Sequence, residues 1–501
     1  MQRVIKHYGP PGTGKTTRLM GLVEGYVTAG TPLREIAYLS FTRSAAEVIR
    51  GRLNASKDDV LWFRTLHGAS CKQLDLSGSI IDWKDYADFS KATGMKVTPD
   101  DGEEAFDTSK NFDFNVTLRA HNMALTMCRS LKDVIRDMPD HPNLALGRAQ
   151  AFIDAWTKFK AERRKFDFID MLVQYEQNGT PLPCKIGMLD ETQDLSELQW
   201  KVAHKMLAGC ETVHMAGDDD QSIYGFIGAS EYGFLDHPCD EEEVLAKSYR
   251  VPKAIGAAAD KVIGKVPHRK EKAVEWRDGP GTVARLNLDA TSMPWRKWTA
   301  EYEDVMVLTR HRRGAVRFSE DLKTIGVPHS LNGETMNTWE EAKVLHSLYS
   351  LRDGKSITPL AARKLAEAFG KDTRPYRSMG ARDRVTEMPK GIDVKGLDWL
   401  VQLSTTKRAR QRYGHLLTLI KREGYEKLAA DPKIVVSTQH ASKGKEAALV
   451  VIVPDCTNVV KRNVSTATEI RLAYVSMTRA KRDVRVLMPR TDTYVHHYLG
   501  G

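Results

Sequence analysis

The sequence predicts an α/β protein with two parallel-sheet cores, each interrupted by a mainly helical insertion. Short apolar runs of the kind that form buried strands recur along the chain, and each runs into a polar, glycine-rich or aspartate-rich turn. Two stretches, about residues 71–165 and 341–431, lack this pattern of apolar runs and turns and have helix-like sequence instead. The chain of 501 residues is also too long for a single hydrophobic core, because single cores stop growing at about 250–300 residues.

The apolar runs that predict strands are separated by helix-competent segments, as in parallel sheets whose strand ends carry ligands. They lie at residues 4–5, 36–39, 186–189, 213–216, 305–308, 434–436, 449–453 and 484–487. We expect the first core to comprise residues 1–70 and 166–275, and the second core residues 276–340 and 432–501. The insertions are then residues 71–165 and 341–431. In the second insertion, Thr358-Pro359 is typical of a helix start and Gly370 of its end.

The composition favours a polyanionic partner, because the formal net charge is +10 and the pI is near 9.1. The six cysteines stand singly without a Cys-x-x-Cys pair, which argues against structural zinc and against a disulfide framework. No apolar run reaches the length of a membrane span, and residues 1–6 lack the apolar segment of a signal peptide. We therefore expect a cytoplasmic protein without membrane contact.

A glycine-rich segment, residues 9–16, fits the phosphate-loop pattern Gly-x4-Gly-Lys-[Ser/Thr] between a predicted strand and a predicted helix. Backbone N–H groups of such a loop bind phosphate, and glycines allow the close approach. Lys15 would neutralise the β- and γ-phosphates, and Thr16 would bind Mg²⁺. The predicted nucleotide-binding residues of this segment are Gly9, Pro10, Gly12, Thr13, Gly14, Lys15, Thr16 and Thr17.

An acidic pair, Asp190 and Glu191, follows another predicted buried strand. Asp190 suits a contact to Mg²⁺, and Glu191 could orient or deprotonate the attacking water. The alternative is an acidic helix cap, but a phosphate loop upstream favours the catalytic interpretation. Phosphoryl transfer also needs positive charge on the γ-phosphate, for which Arg250 and Arg479 are candidates.

The order of the motifs resembles that of UvrD/Rep/PcrA-type superfamily 1A helicases from residue 4 to about residue 487, in a compact, phage-like form. Residues 36–46 resemble motif Ia, residues 65–68 motif Ib, residues 166–172 the Asp-Phe-x-Asp element, and residues 190–194 motif II. Residues 217–229 resemble motif III, residues 249–250 motif IV, residues 437–446 motif V and residues 469–481 motif VI. One such match could be chance, whereas eight in order are not.

The resemblance implies two RecA-like, P-loop cores that hydrolyse Mg-ATP to ADP and phosphate at a cleft between them. Lys15, Thr16, Asp190 and Glu191 would bind and hydrolyse the nucleotide. Gln221 would sense the γ-phosphate, and Arg250 and Arg479 would be arginine fingers reaching in from the second core. Tyr249 would lie against the adenine and Glu446 would contact the ribose.

The resemblance also implies a monomeric motor that moves 3′-to-5′ on single-stranded DNA and at junctions with duplex, with a partner among replication or repair proteins. Its implied DNA contacts are Phe41, Thr42, Thr65, His67, Tyr224, Phe226, Arg310, Thr438 and His440. Aromatic faces stack on any base with about 1–3 kcal/mol per base, so such a track needs no sequence preference. The alternative for Tyr224 and Phe226 is core packing.

Departures from the family pattern leave part of the function open. Family members carry a glutamine motif ahead of the phosphate loop, whereas only eight residues precede Gly9 and Gln2 is a weak substitute. Selectivity among ATP, GTP and CTP therefore stays open. Motif III has Phe226-Ile227 in place of Trp-Arg, and the second insertion is shorter than the family's usual one. The alternatives to a helicase are a translocase that does not unwind duplex, an RNA motor, and a non-enzymatic nucleic-acid clamp.

Overall fold

The computed structural model describes residues 2–40, 51, 55–56, 58–98, 114–138, 144–230, 232–334, 340–380, 382–390 and 407–499. The chain folds as two compact units. Unit 1 comprises Met1–Val251, Ile263–Asp278 and Thr466–Tyr474, and unit 2 comprises Pro252–Val262, Gly279–Ser465 and Val475–Gly501. The division into two cores and two insertions stays a prediction.

Unit 1 is built on a six-stranded sheet in the order β3-β2-β4-β5-β1-β6, and its described pairings are all parallel. The strands are β1 (Arg3–Tyr8), β2 (Ile36–Ser40), β3 (Phe63–Thr65), β4 (Ile186–Leu189), β5 (Thr212–Gly217) and β6 (Glu241–Val244). β2 and β4 are buried along their whole length, which explains their continuous apolar sequences. A two-stranded sheet follows, formed by β7 (Lys247–Pro252) and β8 (Glu275–Arg277).

The edge strand β6 carries three glutamates and no apolar alternation, so its sequence does not predict a strand. It pairs with β1, where two arginines and a histidine form hydrogen bonds with its glutamates. Arg3 bonds to Glu241, while Arg18 and His7 both bond to Glu243. These contacts exist only in the folded sheet, which is why a local pattern misses this strand.

The helices described in unit 1 are α1 (Lys15–Thr28), α2 (Leu66–Gln73), α3 (Trp83–Thr93), α4 (Phe114–Thr126), α5 (Leu131–Arg136), α6 (Leu146–Arg163), α7 (Phe168–Asn178) and α8 (Glu197–Leu207). Helices α3 to α6 fall in the first predicted insertion, residues 71–165. An aromatic cluster of Phe89, Phe152, Trp156 and Phe159 packs there, with ring centroids 4.9 to 5.9 Å apart. Edge-to-face contacts predominate in it, as expected for packed aromatic rings.

The Asp-Phe-x-Asp element begins α7 with a reciprocal cap. Asp167 Oδ1 accepts a hydrogen bond from Asp170 N at 3.0 Å, and Asp170 Oδ2 accepts one from Asp167 N at 2.9 Å. Both carboxylates also bind the ammonium of Lys160 in α6, a residue that is 5% exposed. This motif therefore anchors the helical region to α7.

Unit 2 holds a second six-stranded parallel sheet, in the order β11-β12-β10-β13-β14-β9. Its strands are β9 (Thr282–Leu286), β10 (Val305–Thr309), β11 (Ser330–Leu331), β12 (Ile434–Thr438), β13 (Ala447–Val453) and β14 (Ala480–Leu487). All eight apolar runs that predict strands lie within strands of the two sheets. The predicted α/β class with two parallel sheets is confirmed.

The remaining described helices are α9 (Lys253–Ile263), α10 (Trp295–Glu301), α11 (Arg312–Thr324), α12 (Glu340–Arg352), α13 (Pro359–Ala368), α14 (Lys407–Glu423), α15 (Asn458–Asn463) and α16 (Ala467–Met477). The predicted start and end of α13 are confirmed, since Thr358 Oγ accepts from Ala361 N at 3.2 Å and Gly370 has a φ of 61°. Among the described helices, none combines the length and the apolar character that crossing a membrane requires.

Candidate functional site

The phosphate-loop segment, residues 9–16, connects β1 to α1 in a backbone shape that requires glycine. Gly12 and Gly14 have φ of 76° and 80°, where a side chain is strained. A Cβ on Gly9 would lie 2.0 Å from Lys15 Cγ. Lys15 Nζ donates to Gly9 O at 2.9 Å, so the lysine lies along the loop. This geometry suits a loop that presents N–H groups and one ammonium to phosphate.

The rest of the predicted loop residues stabilise or flank this shape. Thr13 Oγ donates to Pro10 O at 2.8 Å, and Gly9 N donates to Gly217 O at 2.9 Å, which ties the loop to the end of β5. Thr17 is exposed in the first turn of α1.

Asp190, at the C-terminal end of β4, bonds to the first turn of α1. Its Oδ2 accepts hydrogen bonds from Thr16 Oγ and from the Tyr38 hydroxyl, each at 2.8 Å. Burial, and then the charge of Glu191, raise the pKa of Asp190 above its ordinary value. The predicted pair of Thr16 and Asp190 is thus brought together in a partly buried position and offers two oxygen ligands, which fits Mg²⁺.

Glu191 has a backbone φ of 54°, which is uncommon for a residue with a side chain. It precedes the short turn Thr192–Asp194 without capping it through its side chain, which excludes the alternative of a helix cap for Glu191. Gln193 Nε2 instead donates to Glu191 Oε2 at 2.6 Å. Gln193 is not among the site residues that the sequence predicts, although the spacing Asp-Glu-x-Gln contains that signal.

Gln221 is buried in a turn that follows β5. Its Nε2 donates to Asp218 Oδ2 at 2.7 Å, and Asp218 N donates to Gln193 Oε1 at 3.0 Å. Hydrogen bonds therefore run from Glu191 through Gln193 and Asp218 to Gln221. Two predicted catalytic side chains share one network.

Strand β7 places Tyr249 and Arg250 beside the phosphate loop. Tyr249 N donates to Gly12 O at 2.9 Å, and Ser248 Oγ donates to Pro11 O at 2.7 Å. A Cβ on Gly12 would lie 2.5 Å from Arg250 Cβ, while the Tyr249 side chain is 68% exposed. The expectation that Arg250 reaches in from the second core is wrong, because β7 packs on the loop and Arg250 belongs to unit 1.

Gln2 precedes β1 and therefore lies at the N-terminal ends of the strands of the first sheet, whereas the phosphate loop lies at their C-terminal ends. Its amide donates to Leu207 O at 2.6 Å and to Cys210 O at 3.1 Å, ahead of β1 and β5. The loop follows the other end of β1, so Gln2 is not placed to act as a substitute for the family's glutamine motif.

Tyr224 and Phe226 follow the Gln221 turn and form an aromatic pair whose ring centroids are 6.3 Å apart. Phe226 is 41% exposed and Tyr224 is half-buried, which excludes core packing as the explanation for Phe226. An exposed ring at this position is available to a base. Phe41 and Thr42 lie outside the described residues.

Thr65 and His67 lie at the start of α2, where Thr65 Oγ accepts from Gly68 N at 3.1 Å as the helix cap. His67 contacts Phe168 edge-to-face at a centroid distance of 5.8 Å. Burial lowers the pKa of His67 to about 4, so its ring is neutral at pH 7. Phe168 is 60% exposed and was not selected from the sequence, although the Asp-Phe-x-Asp element contains it.

Arg310, Thr438 and His440 gather at the C-terminal ends of neighbouring strands in unit 2. Arg310 follows β10, Thr438 ends β12, and Gln439 N donates to Thr309 O at 2.9 Å. Burial, followed by the charge of Arg310, lowers the pKa of His440 to about 3, which keeps the imidazole neutral. Three predicted DNA contacts are therefore neighbours.

Glu446 and Arg479 lie at the opposite edge of that sheet, before β13 and β14, whereas the three DNA contacts follow β10 and β12. Arg479 is 2% exposed, and its carbonyl accepts from Ala447 N at 3.0 Å. Residues 439–446 connect the C-terminal end of β12, beside His440, to the N-terminal end of β13, beside Glu446. The implied DNA contacts and nucleotide contacts of unit 2 thus occupy opposite edges of one sheet.

A parallel sheet whose C-terminal edge carries a phosphate loop, an oxygen-donor pair and a buried glutamine turn defines the class of P-loop α/β proteins. Within that class, residues 4–238 match the family described as the UvrD/REP helicase N-terminal domain. Over this region, a little less than half of the chain, the protein is similar to UvrD-like superfamily 1A helicases.

Known relatives extend the similarity beyond that domain. The chain is 24% identical over 383 residues to ATP-dependent DNA helicase UvrD1 of Mycobacterium tuberculosis (strain ATCC 25618 / H37Rv), covering 66% of this chain and 49% of UvrD1. It is 24% identical over 366 residues to ATP-dependent DNA helicase PcrA of Leuconostoc citreum, covering 64% of this chain and 47% of PcrA. It is 24% identical over 555 residues to UvrD2 of the same mycobacterial strain, covering 94% of this chain and 74% of UvrD2. The chain thus spans about half the length of UvrD1 and of PcrA.

Proposed function

We propose that this protein is an ATP-dependent DNA motor, a helicase or translocase that moves on single-stranded DNA. The proposal rests mainly on one observation: hydrogen bonds join the phosphate loop, the acidic pair and the Gln221 turn at the C-terminal ends of the strands of the first sheet. UvrD1, PcrA and UvrD2, which are named ATP-dependent DNA helicases, support the same activity.

The nucleotide part of the proposal assigns each side chain by its contacts. Thr16 and Asp190 would hold Mg²⁺, which neutralises phosphate charge when it is bound. Lys15 would add an ammonium to the β- and γ-phosphates. Glu191 would orient the attacking water and accept its proton, and Gln193 restrains its carboxylate at 2.6 Å. The strained backbone of Glu191 supports this role, because such strain collects at functional sites.

The remaining predicted nucleotide contacts are those of Gln221, Arg250, Tyr249, Glu446 and Arg479. Gln221 would sense the γ-phosphate, Arg250 would supply positive charge beside the loop, and the exposed Tyr249 ring would receive the base. Contacts of Glu446 with the ribose and of Arg479 with the γ-phosphate rest on the family resemblance.

The DNA part of the proposal rests on exposed rings and on neutral histidines. Phe226, with Tyr224 beside it, and Phe168, with His67 beside it, offer aromatic faces in unit 1. Stacking on such faces tolerates any base. In unit 2, the DNA contacts would be Arg310, Thr438 and His440.

We also propose several details of how the motor works and where it acts, which rest on the family resemblance and on composition. They are the 3′-to-5′ direction, hydrolysis at a cleft between two RecA-like cores, the four-part domain organisation, a monomeric state and a cytoplasmic location. A partner among replication or repair proteins, and binding at junctions between single-stranded and duplex DNA, complete it.

Hydrolysis by Lys15→Ala tests the nucleotide assignment. We expect the DNA-stimulated ATPase rate to fall roughly 100-fold or more, because the variant loses a charge aimed at the transferring phosphate. Lys201→Ala, an exposed lysine of α8, is the matched control and keeps the wild-type rate. Wild-type hydrolysis by Lys15→Ala would contradict the site assignment.

Two comparisons separate the alternative motors. A strand-displacement assay beside a translocation assay on the same DNA distinguishes a helicase from a translocase that leaves duplex intact. Comparing ATPase stimulation by DNA and by RNA homopolymers distinguishes a DNA motor from an RNA motor.

A further inference from the structure

Three consecutive carboxylates, those of Asp218, Asp219 and Asp220, are buried together after β5, close enough to share one cation. Lys272 supplies that cation. Its ammonium lies 3.0 Å from Asp218 Oδ1 and 2.9 Å from Asp220 Oδ2, and it also bonds to Asp219. Burial disfavours the charge on Lys272, but the three carboxylates outweigh burial and raise the pKa of the ammonium. An internal lysine therefore occupies the position that a metal ion would take.

The carboxylate of Asp218 is held from both sides. Its Oδ1 faces Lys272 at 3.0 Å, and its Oδ2 accepts from Gln221 Nε2 at 2.7 Å. Because one rigid carboxylate links them, a shift of the ammonium would move the oxygen that accepts the hydrogen bond of the Gln221 amide. Removing the ammonium would leave Asp218 to move toward other donors, and Gln221 would follow it.

The segment that carries Lys272 also reaches β7. Arg269 binds Asp220 through two parallel bonds at 2.8 and 2.6 Å. Three residues after Lys272, the chain begins β8, which pairs with β7, and Arg277 Nε donates to Arg250 O at 3.1 Å. Residues 269–277 thus contact the Gln221 turn on one side and the strand of Arg250 on the other.

We propose that Lys272 is a positioning residue for ATP hydrolysis, which acts through Asp218 to orient Gln221 toward the γ-phosphate. The inference rests on the proposed function, in which Gln221 senses that phosphate. Lys272 contacts no substrate, and none of the family-like motifs contains it. The segment 269–277 would keep the Gln221 turn in register with Tyr249 and Arg250, so that sensing and nucleotide contact change together.

A double-mutant cycle between Lys272 and Gln221 tests the inference. Lys272→Met should lower the kcat of DNA-stimulated ATP hydrolysis about tenfold, with nucleotide affinity changed less than about twofold. In a Gln221→Ala background, the same substitution should lower kcat by less than about twofold further, because the side chain it positions is gone. Equal losses in both backgrounds would assign Lys272 a structural role alone and overturn the inference.

Lys270→Met is the matched control, because its ammonium binds the partly exposed Glu242 and its backbone contact to Asp219 survives substitution. It should keep the wild-type kcat. If Lys272→Met does not fold, Asp218→Asn takes its place in the cycle, since asparagine keeps an oxygen for Gln221 but weakens the hold of Lys272. Additive losses of Asp218→Asn and Gln221→Ala would then overturn the inference.

Hydrogen exchange of peptides that span residues 218–224 gives a readout independent of hydrolysis. Exchange should be faster in Lys272→Met than in wild type, and unchanged in Lys270→Met. Unchanged exchange in Lys272→Met overturns the inference, whereas a wild-type protein without DNA-stimulated hydrolysis overturns the proposed function.

Discussion

The Thr16 hydroxyl donates a hydrogen bond to Asp190 Oδ2 over 2.8 Å, although the two residues are 174 positions apart in the chain. The contact exists because the loop after β1 and the end of β4 flank β5 at one edge of a parallel sheet. The chemistry of the site therefore depends on the order of strands in the sheet. Each side chain of the site can be tested by its own substitution.

Asp190→Asn separates activity from stability. We expect the hydrolysis rate to fall roughly 100-fold, because a charged ligand for Mg²⁺ is lost. The folded-state pKa of Asp190 is raised, so ionising this buried carboxyl costs stability, and the neutral amide should unfold at an equal or higher temperature.

Thermal unfolding without nucleotide, beside an ATPase assay, measures both effects. Asp154→Asn, an exposed aspartate of α6, controls for a change of charge alone. A large loss of stability in Asp190→Asn would contradict the assignment of Asp190 as a ligand held at an energetic cost.

Phe226→Ala should weaken binding of single-stranded DNA by about 1–3 kcal/mol, because one stacking face is lost. The neighbouring Ile227→Ala is the matched control, since Ile227 is 46% exposed but has no aromatic face. Fluorescence anisotropy with a labelled oligonucleotide measures both variants, and Phe226→Tyr should restore affinity. Equal effects of Phe226→Ala and Ile227→Ala would show that stacking is not the contribution of Phe226.

Lys160→Met should destabilise the protein by about 3–5 kcal/mol, because it leaves the carboxylates of Asp167 and Asp170 buried without their cation. Lys158→Met, two residues earlier in α6, should cost less than about 0.5 kcal/mol, since its ammonium is exposed. Urea midpoints of the two variants check the difference, and similar midpoints would contradict it.

Acid should destabilise the protein through His214, which bonds to His7 Nε2 at 2.9 Å and to the Tyr26 hydroxyl at 3.0 Å. Burial lowers the pKa of His214 to about 4. The pKa of His214 is lower in the folded state than in the unfolded state, so protonation favours unfolding. The contribution of neutral His214 to the free energy of unfolding is fully present above about pH 6.5. As the pH falls toward 4, roughly 3 kcal/mol of it is lost.

Urea unfolding between pH 4 and 7 measures this dependence. His214→Gln keeps a polar side chain near Tyr26 but cannot take up a proton, so its stability should change less with pH over that interval. Identical pH profiles for wild type and His214→Gln would rule out His214 as a source of the acid sensitivity.

The sequence predicts the parts of this protein that are encoded locally. Buried runs such as residues 449–453 read as strands because both of their faces are covered. The phosphate loop was predictable because its whole pattern, from Gly9 to Thr16, lies in one continuous segment, in which Gly14 needs a positive φ. Helix α13 was predictable from a cap, a proline and a glycine that act within a few residues.

The parts that local patterns miss depend on distant partners. The strand β6 is stable beside Arg3 and Arg18, which its own glutamates do not reveal. Lys272 reads as one of many surface lysines until the fold buries it against three aspartates. The close approach of Arg250 to the phosphate loop was also not predictable, since it follows from the packing of β7 on Gly12.

ATP hydrolysis with and without single-stranded DNA, measured across a salt series, tests the central claim most directly. The proposed motor predicts strong stimulation by DNA that fades as salt rises, because phosphate contacts release counterions. Hydrolysis that is indifferent to DNA at every salt concentration, or no hydrolysis at all, would contradict a DNA-coupled motor.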